Sequence, residues 1–218
     1  MIGSELLNYT ISLLLGYLLG SFPTAYILVT QKDQIDIRQA GSGNIGARNA
    51  MEVSGSKLVG LIVLIVDVIK GSGAVILSSQ LLDYNFWMMA SGGIGAVIGH
   101  NYSIWMRFKG GRGLATTAGV MILLGWIYIL IWLILYFIAQ QFSKHIHLSS
   151  VVASILGPFV LFLIPEPILK SMLFFSHRAS DVIIIGTIFS FMILLRHIES
   201  MKKLLFETKK YPNEIDTV

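Results

Sequence analysis

An all-α, polytopic membrane protein with seven transmembrane or membrane-embedded helices is predicted from three observations. Charge is scarce, apolar residues run on for the thickness of a bilayer, and lysine and arginine gather between alternate runs. Of the 218 residues, 55% are hydrophobic and 13% charged, whereas a water-soluble domain carries about 25% charged residues. The apolar stretches cover 6–29, 58–82, 86–105, 114–142, 149–164 and 182–195, and about 20 apolar residues cross a hydrocarbon core. As one helix, 114–142 would be about 43 Å long, against a core of about 30 Å. Gly125 divides it into a short segment, 114–124, and a longer one, 126–142, which makes seven. The chain reads as a single domain, 1–218.

With the N-terminus outside, the segments 30–57, 107–113, 143–148 and 196–218 fall inside. They hold 13 of the 16 lysines and arginines; only Lys170 and Arg178 fall outside, and Lys70 lies within a span. This is the bias that orients membrane proteins with their cations in the cytoplasm. An undivided 114–142 span would put the basic tail outside, against that bias. No Lys or Arg precedes Lys32, so the first stretch lacks the basic start of a cleaved signal peptide. The pI near 9.3 and net charge of +4 then report a membrane surface, and no nucleic-acid partner is expected. The chain has no cysteine, which excludes disulfides, thiolate metal sites and a cysteine acyl-enzyme. It has neither HExxH nor a Cys/His cluster, and no metal or cofactor is expected.

Three polar clusters fall on the inner side. The first is Asp36-Ile37-Arg38 followed by Gly41-Ser42-Gly43-Asn44-Ile45-Gly46-Ala47-Arg48-Asn49. Three glycines in six positions let the backbone turn its N–H groups into one concavity, a nest for phosphate, and Arg38, Asn44 and Asn49 add donors. A flexible loop would also be glycine-rich. The second is Phe108-Lys109-Gly110-Gly111-Arg112-Gly113, with Ala115-Thr116 beyond. Cations frame small residues just before a helix start, where an anion is favoured. The spacing is not that of a Walker A loop. A basic flank on lipid headgroups would explain the cations but not the interleaved glycines. The third is Arg196-His197, whose histidine is either a base or a structural residue. Asp67 and Lys70 share a helix face within the second span. They are either a site or an ion pair beside a break at Gly71-Ser72-Gly73. His100 follows Gly99 in the third span, a candidate for packing or hydrogen bonding. A histidine followed by aspartate five positions on, the signature of another large acyltransferase class, does not occur.

Taken together, these clusters resemble the PlsY-type acyl-phosphate:glycerol-3-phosphate acyltransferases of bacteria. The resemblance includes Gly20-Ser21-x-Pro23, the 36–49 loop, Asp67-x-x-Lys70-Gly71, Gly99-His100, the 108–116 loop and Arg196-His197. It implies a seven-helix enzyme of the bacterial inner membrane. Such an enzyme moves a fatty acyl group from acyl phosphate to glycerol 3-phosphate, giving lysophosphatidic acid, with membrane lipid around it. Five positions depart from the family pattern: Arg48 replaces threonine, Glu52 arginine, Arg112 lysine, His147 serine and Ser200 asparagine. On this reading Lys109, Gly110, Gly111, Arg112, Gly113 and Thr116 bind glycerol 3-phosphate. Arg38, Ser42, Asn44, Arg48 and Asn49 bind and neutralise the acyl phosphate. His197, Ser42 and Arg48 are the candidate catalytic residues. His197 takes the hydroxyl proton or orients the acceptor, and a substrate phosphate oxygen is the competing base. The alternative is a divergent or inactive relative that binds lipid phosphates. A small anion transporter ranks last, because no repeated halves are visible.

Overall fold

A computed structural model describes residues 2–82, 84–173 and 178–210. Those residues form ten α-helices and no strand. The first apolar stretch is not one helix. α1 (Ile2–Ser21) stops at Phe22-Pro23, and α2 (Thr24–Asp33) begins beyond it. Proline lacks an N–H and disfavours helical backbone in the residue before it. A polar loop with a 3₁₀ turn over Ile37–Gln39 leads to α3 (Ala47–Ser54). Ser56 then caps α4 (Lys57–Leu81), its hydroxyl accepting the Val59 N–H. α4 runs unbroken through Gly71-Ser72-Gly73, so the expected break there is absent.

α5 (Phe86–Asn101) is followed by a 3₁₀ turn at Ile104–Met106 and the second polar loop. Gly125 separates α6 (Leu114–Leu124) from α7 (Trp126–Ser143), as the length argument requires. α8 (Ile146–Leu163), the short α9 (Glu166–Ser171) and α10 (Ala179–Lys210) complete the bundle. Five stretches of the described residues are long and apolar enough to cross a bilayer: Gly3–Asp33, Lys57–Leu81, Trp126–Ser143, Ile146–Leu163 and Ala179–Lys202. α5 and α6 bring the membrane segments to seven, but α6, at 11 residues, rises only about 16 Å and is embedded rather than spanning. α10 extends well past the apolar stretch 182–195.

Lipid gives no hydrophobic drive for helices to associate, so close packing of small residues does that work. α1 packs most extensively on α5. There Gly16 and Gly20 abut the backbone of Gly92 and Ala96, while Gly95 and Gly99 abut Leu13 and Tyr17. The Ser12 hydroxyl bridges this seam, lying 2.8 Å from both the Met88 carbonyl and Ser78 Oγ. Large side chains such as Leu61, Ile69, Phe137, Phe159 and Phe191 face outward, as a lipid-facing surface requires. The apolar core lies between α5, α6, α7 and α10, around Met121, Leu124, Tyr128, Ile185 and Phe189.

Gly95→Leu is expected to lower the thermal midpoint of the detergent-solubilised protein, because its side chain meets the α1 backbone. Gly73→Ala, whose methyl enters open space, is expected to hold or raise the midpoint by the helix-propensity gain of up to about 1 kcal/mol. A scanning-fluorimetry series in which both variants behave alike would contradict this packing.

Candidate functional site

One cavity of about 510 Å³ opens at one end of the bundle, and all three polar clusters line it. The 34–46 loop contributes Arg38, Ser42, Gly43 and Asn44, and the second loop contributes Phe108, Lys109, Gly110 and Arg112. α10 contributes Arg196, Glu199 and Ser200, and the first turn of α8 contributes His147.

The first loop is organised by Asn49. This side chain is 2% exposed. Its Nδ2 donates to the carbonyls of Ile37, Ala40 and Asn44, and its Oδ1 accepts the Ser42 N–H at 2.9 Å. Asn49 is thus the loop's internal clasp and does not line the cavity. Two N–H groups of the expected nest are spent inside the loop, Ser42 on Asn49 and Gly43 on the Ala40 carbonyl. The side chains of Arg38, Ser42 and Asn44 remain on the cavity wall. Arg38 is held in a fork by Asp36, with contacts of 2.6–3.2 Å, and lies over the Tyr26 ring at 5.2 Å. The hydrogen bond from Arg38 holds the Asp36 carboxyl below its usual range, and the same bond raises Arg38.

The second loop is fixed from both sides. Arg107 and Phe108 adopt left-handed backbone, with φ of 54° and 60°, an uncommon state for non-glycine residues and one typical of functional turns. Arg196 donates from Nε to the Gly111 carbonyl and from a terminal nitrogen to the Gly110 carbonyl, both at 3.0 Å. Gly113, at φ 79°, caps α6 without a side-chain hydrogen bond to its first N–H groups. The positive end of α6 therefore adjoins the loop. Gly111 and Gly113 shape the loop from behind, packed on His100 and Asn101. Thr116 is fully buried, with its backbone carbonyl against Gly71 of α4, and is not on the cavity wall.

Four cations, Arg38, Lys109, Arg112 and Arg196, share the wall with one carboxylate, Glu199. Arg112 also donates to Ser200 Oγ at 3.0 Å. Burial, then the nearby Arg196 and Arg48 charges, pull the Arg112 guanidinium below its usual range, yet an arginine stays charged in proteins. Cations crowded in this way are relieved by a bound anion.

Arg48 is not on the wall. It pairs with Glu52 one turn on, at 2.7 Å, with 57% of its side chain exposed, and reaches the cavity through its field on Arg112 and His147. His197 is fully buried; its Nδ1 bonds the Ile193 carbonyl at 2.8 Å and its Nε2 has no partner. His147 stands against it, ring centroids 5.8 Å apart, and faces the cavity in its place. Sequence reasoning gave no role to Arg196 or Glu199, and treated His147 and Ser200 only as departures. Helical phase held the signal. Positions 196, 199 and 200 share one face, and 197 lies beside it.

Beyond the second loop an almost wholly apolar groove of about 200 Å³ begins at Leu114 and Ala115 and continues along Ala118, Tyr128, Trp132 and Ile193. Trp132 is fixed there by its bond to Ser154 Oγ at 3.0 Å and by stacking on Tyr136. Among the described residues, no cluster of three or more His, Cys, Asp or Glu could hold a metal.

The family described as glycerol-3-phosphate acyltransferase matches residues 10–207. Glycerol-3-phosphate acyltransferase 2 of Moorella thermoacetica is 39% identical over 160 residues, covering 73% of this chain and 80% of the relative. The glycerol-3-phosphate acyltransferase of Synechococcus sp. strain CC9902 is 34% identical over 204 residues, covering 94% and 95%. Two crystal structures of PlsY, an integral membrane glycerol 3-phosphate acyltransferase, share the fold. The glycerol 3-phosphate form has a TM-score of 0.74 at 24% identity, covering 94% of this chain and 99% of that one. The lysophosphatidic acid form has a TM-score of 0.73 at 25% identity, covering 91% and 92%.

Gly111→Ala places a methyl into the His100 ring, so the loop must shift. The variant is expected to bind a phosphomonoester more weakly by about tenfold or more, measured by calorimetry. Unchanged affinity in the folded variant would remove the loop from the anion site.

Proposed function

This chain belongs to the glycerol-3-phosphate acyltransferase family, and we propose from that premise that it transfers a fatty acyl group from acyl phosphate to glycerol 3-phosphate. The products are lysophosphatidic acid and inorganic phosphate. The observation that carries this reading is a cation-rich cavity whose wall residue Arg112 lies two residues before Leu114 of an apolar groove, a pairing suited to a phosphate head on a fatty chain.

Lys109 and Arg112 hold the acceptor phosphate beside the positive end of α6. Arg38, Ser42 and Asn44 face the donor phosphate, and the acyl chain enters the Leu114–Trp132 groove from the lipid. The acceptor hydroxyl oxygen bonds to the carbonyl carbon, the carbon–oxygen bond to phosphate breaks, and the hydroxyl proton ends on the released phosphate. Phosphate is already a good leaving group, so no acyl-enzyme is required. The cations stabilise charge as it develops on the leaving group, the kind of assistance that commonly dominates enzyme catalysis. His147, on the wall, is the imidazole nearer a bound acceptor. His197 supports it from behind and keeps its buried Nε2 as a proton site. Arg48 adds only long-range positive potential. The protein is multi-pass, and we place the cavity on the cytoplasmic side of the bacterial inner membrane, with the N-terminus outside and the C-terminus inside. The support for that orientation is the 13-to-2 bias of Lys and Arg.

Purified protein given palmitoyl phosphate is expected to release phosphate and form lysophosphatidic acid only when glycerol 3-phosphate is present. A catalytically silent lipid-phosphate binder would show neither. Arg112→Ala should lower kcat/KM about tenfold to a hundredfold, as the loss of a charged hydrogen bond does. Arg48→Ala should cost less than about fivefold, since its ion pair is exposed. The reverse order would put Arg48, not Arg112, on the substrate.

A further inference from the structure

A fourth polar cluster lies inside the bundle, and the acyl transfer above does not use it. Asp67 and Lys70, one turn apart on α4, are 3% and 7% exposed and form an ion pair at 2.8 Å. Lys70 Nζ also donates to the Phe22 carbonyl, at the Pro23 break. The same Asp67 oxygen faces His100 Nδ1 at 3.6 Å, near enough for attraction and too far for a hydrogen bond. A buried ion pair is a poor device for stability alone, because well-packed apolar residues often hold a core as well. What this one touches is more informative.

His100 lies at the end of α5, where the second loop returns. Its carbonyl accepts the Gly111 N–H at 3.0 Å, and its ring fills the space where a Gly111 side chain would begin. Gly111 sits between the wall residues Gly110 and Arg112, and Arg196 holds the carbonyls of Gly110 and Gly111. The loop is therefore clamped between a guanidinium on α10 and an imidazole whose neighbour is a buried carboxylate.

We propose that Asp67 is a positioning residue for the acceptor site. It holds the His100 ring against Gly111 and, through Lys70, ties the end of α1 to the same point. That fixes the height of the 108–113 loop and the spacing of Lys109 and Arg112 around the acceptor phosphate. The proposal rests on assigning this loop to glycerol 3-phosphate, and wild-type turnover tests that assignment separately. A displacement of about 1 Å in such a group can cost about a hundredfold in rate.

The test compares wild type, Asp67→Asn and the doubly apolar Asp67→Leu/Lys70→Met in lipid nanodiscs. Asp67→Asn is expected to raise KM for glycerol 3-phosphate about tenfold or more, with KM for palmitoyl phosphate within about twofold. The apolar pair is expected to fold, with a midpoint lowered by loss of the Lys70 bond to the Phe22 carbonyl, and still show the selective rise. Amide hydrogen exchange reads positioning without catalysis: it should accelerate across 108–113 in both variants while the α1–α5 seam stays protected. The proposal is overturned by an unchanged KM for glycerol 3-phosphate with unchanged exchange in a folded variant. It is equally overturned if both KM values rise together as the midpoint falls. If Asp67→Asn does not fold, the apolar pair decides. If wild type does not acylate glycerol 3-phosphate, the loop's assignment fails and exchange alone decides the clamp.

Discussion

Two hydrogen bonds from Arg196 to the carbonyls of Gly110 and Gly111 fix where the cavity is and what it can bind. They tie the C-terminal half of α10 to a loop that lies 85 residues earlier in the chain. On its other side, that loop leans on His100. Without this tie, the cations of the loop and of α10 would drift apart under their own repulsion. With it, Lys109, Arg112 and Arg196 share one wall with the Arg38 side of the first loop. The resulting field selects anions, and the helix start at Leu114 adds to it.

The solvent explains why this arrangement needs so much support from within the bundle. Hydrocarbon satisfies no backbone polar group, so the chain is helical wherever it is embedded. Where a helix breaks, something polar must be supplied. At Phe22 it is Lys70, and within the first loop it is Asn49. These side chains are polar for the sake of the backbone. They are easily taken for substrate ligands in a sequence because the same residue types do both jobs.

Asn49 and Thr116 illustrate that limit, since each sits in a loop motif beside residues that do face the cavity. Asn49 is turned inward by the loop carbonyls that it clasps, and Thr116 by the packing of α6 on α4. The membrane segments were legible because run length and the charge bias depend on composition alone, and Gly125 was legible because a 29-residue helix does not fit the bilayer. Pro23 was visible too, but an unbroken apolar run outweighed it. In the third cluster the type of His197 suggested chemistry, whereas helical phase puts Arg196, Glu199 and Ser200 on the wall and His197 behind it. Arg48 and Glu52 were separated by one helical turn in the sequence, and their exposed pairing follows from that spacing.

The central claim is that one anion site, built from the second loop and the end of α10, receives the acceptor phosphate while the donor chain lies in the adjoining apolar groove. A structure of the protein with glycerol 3-phosphate and a non-hydrolysable acyl phosphate analogue measures this directly. The account expects the acceptor phosphate in salt-bridge contact with Lys109 and Arg112, with the acyl chain running past Leu114 toward Trp132. An acceptor phosphate bound away from both cations, or an acyl chain lying outside the groove, would contradict it.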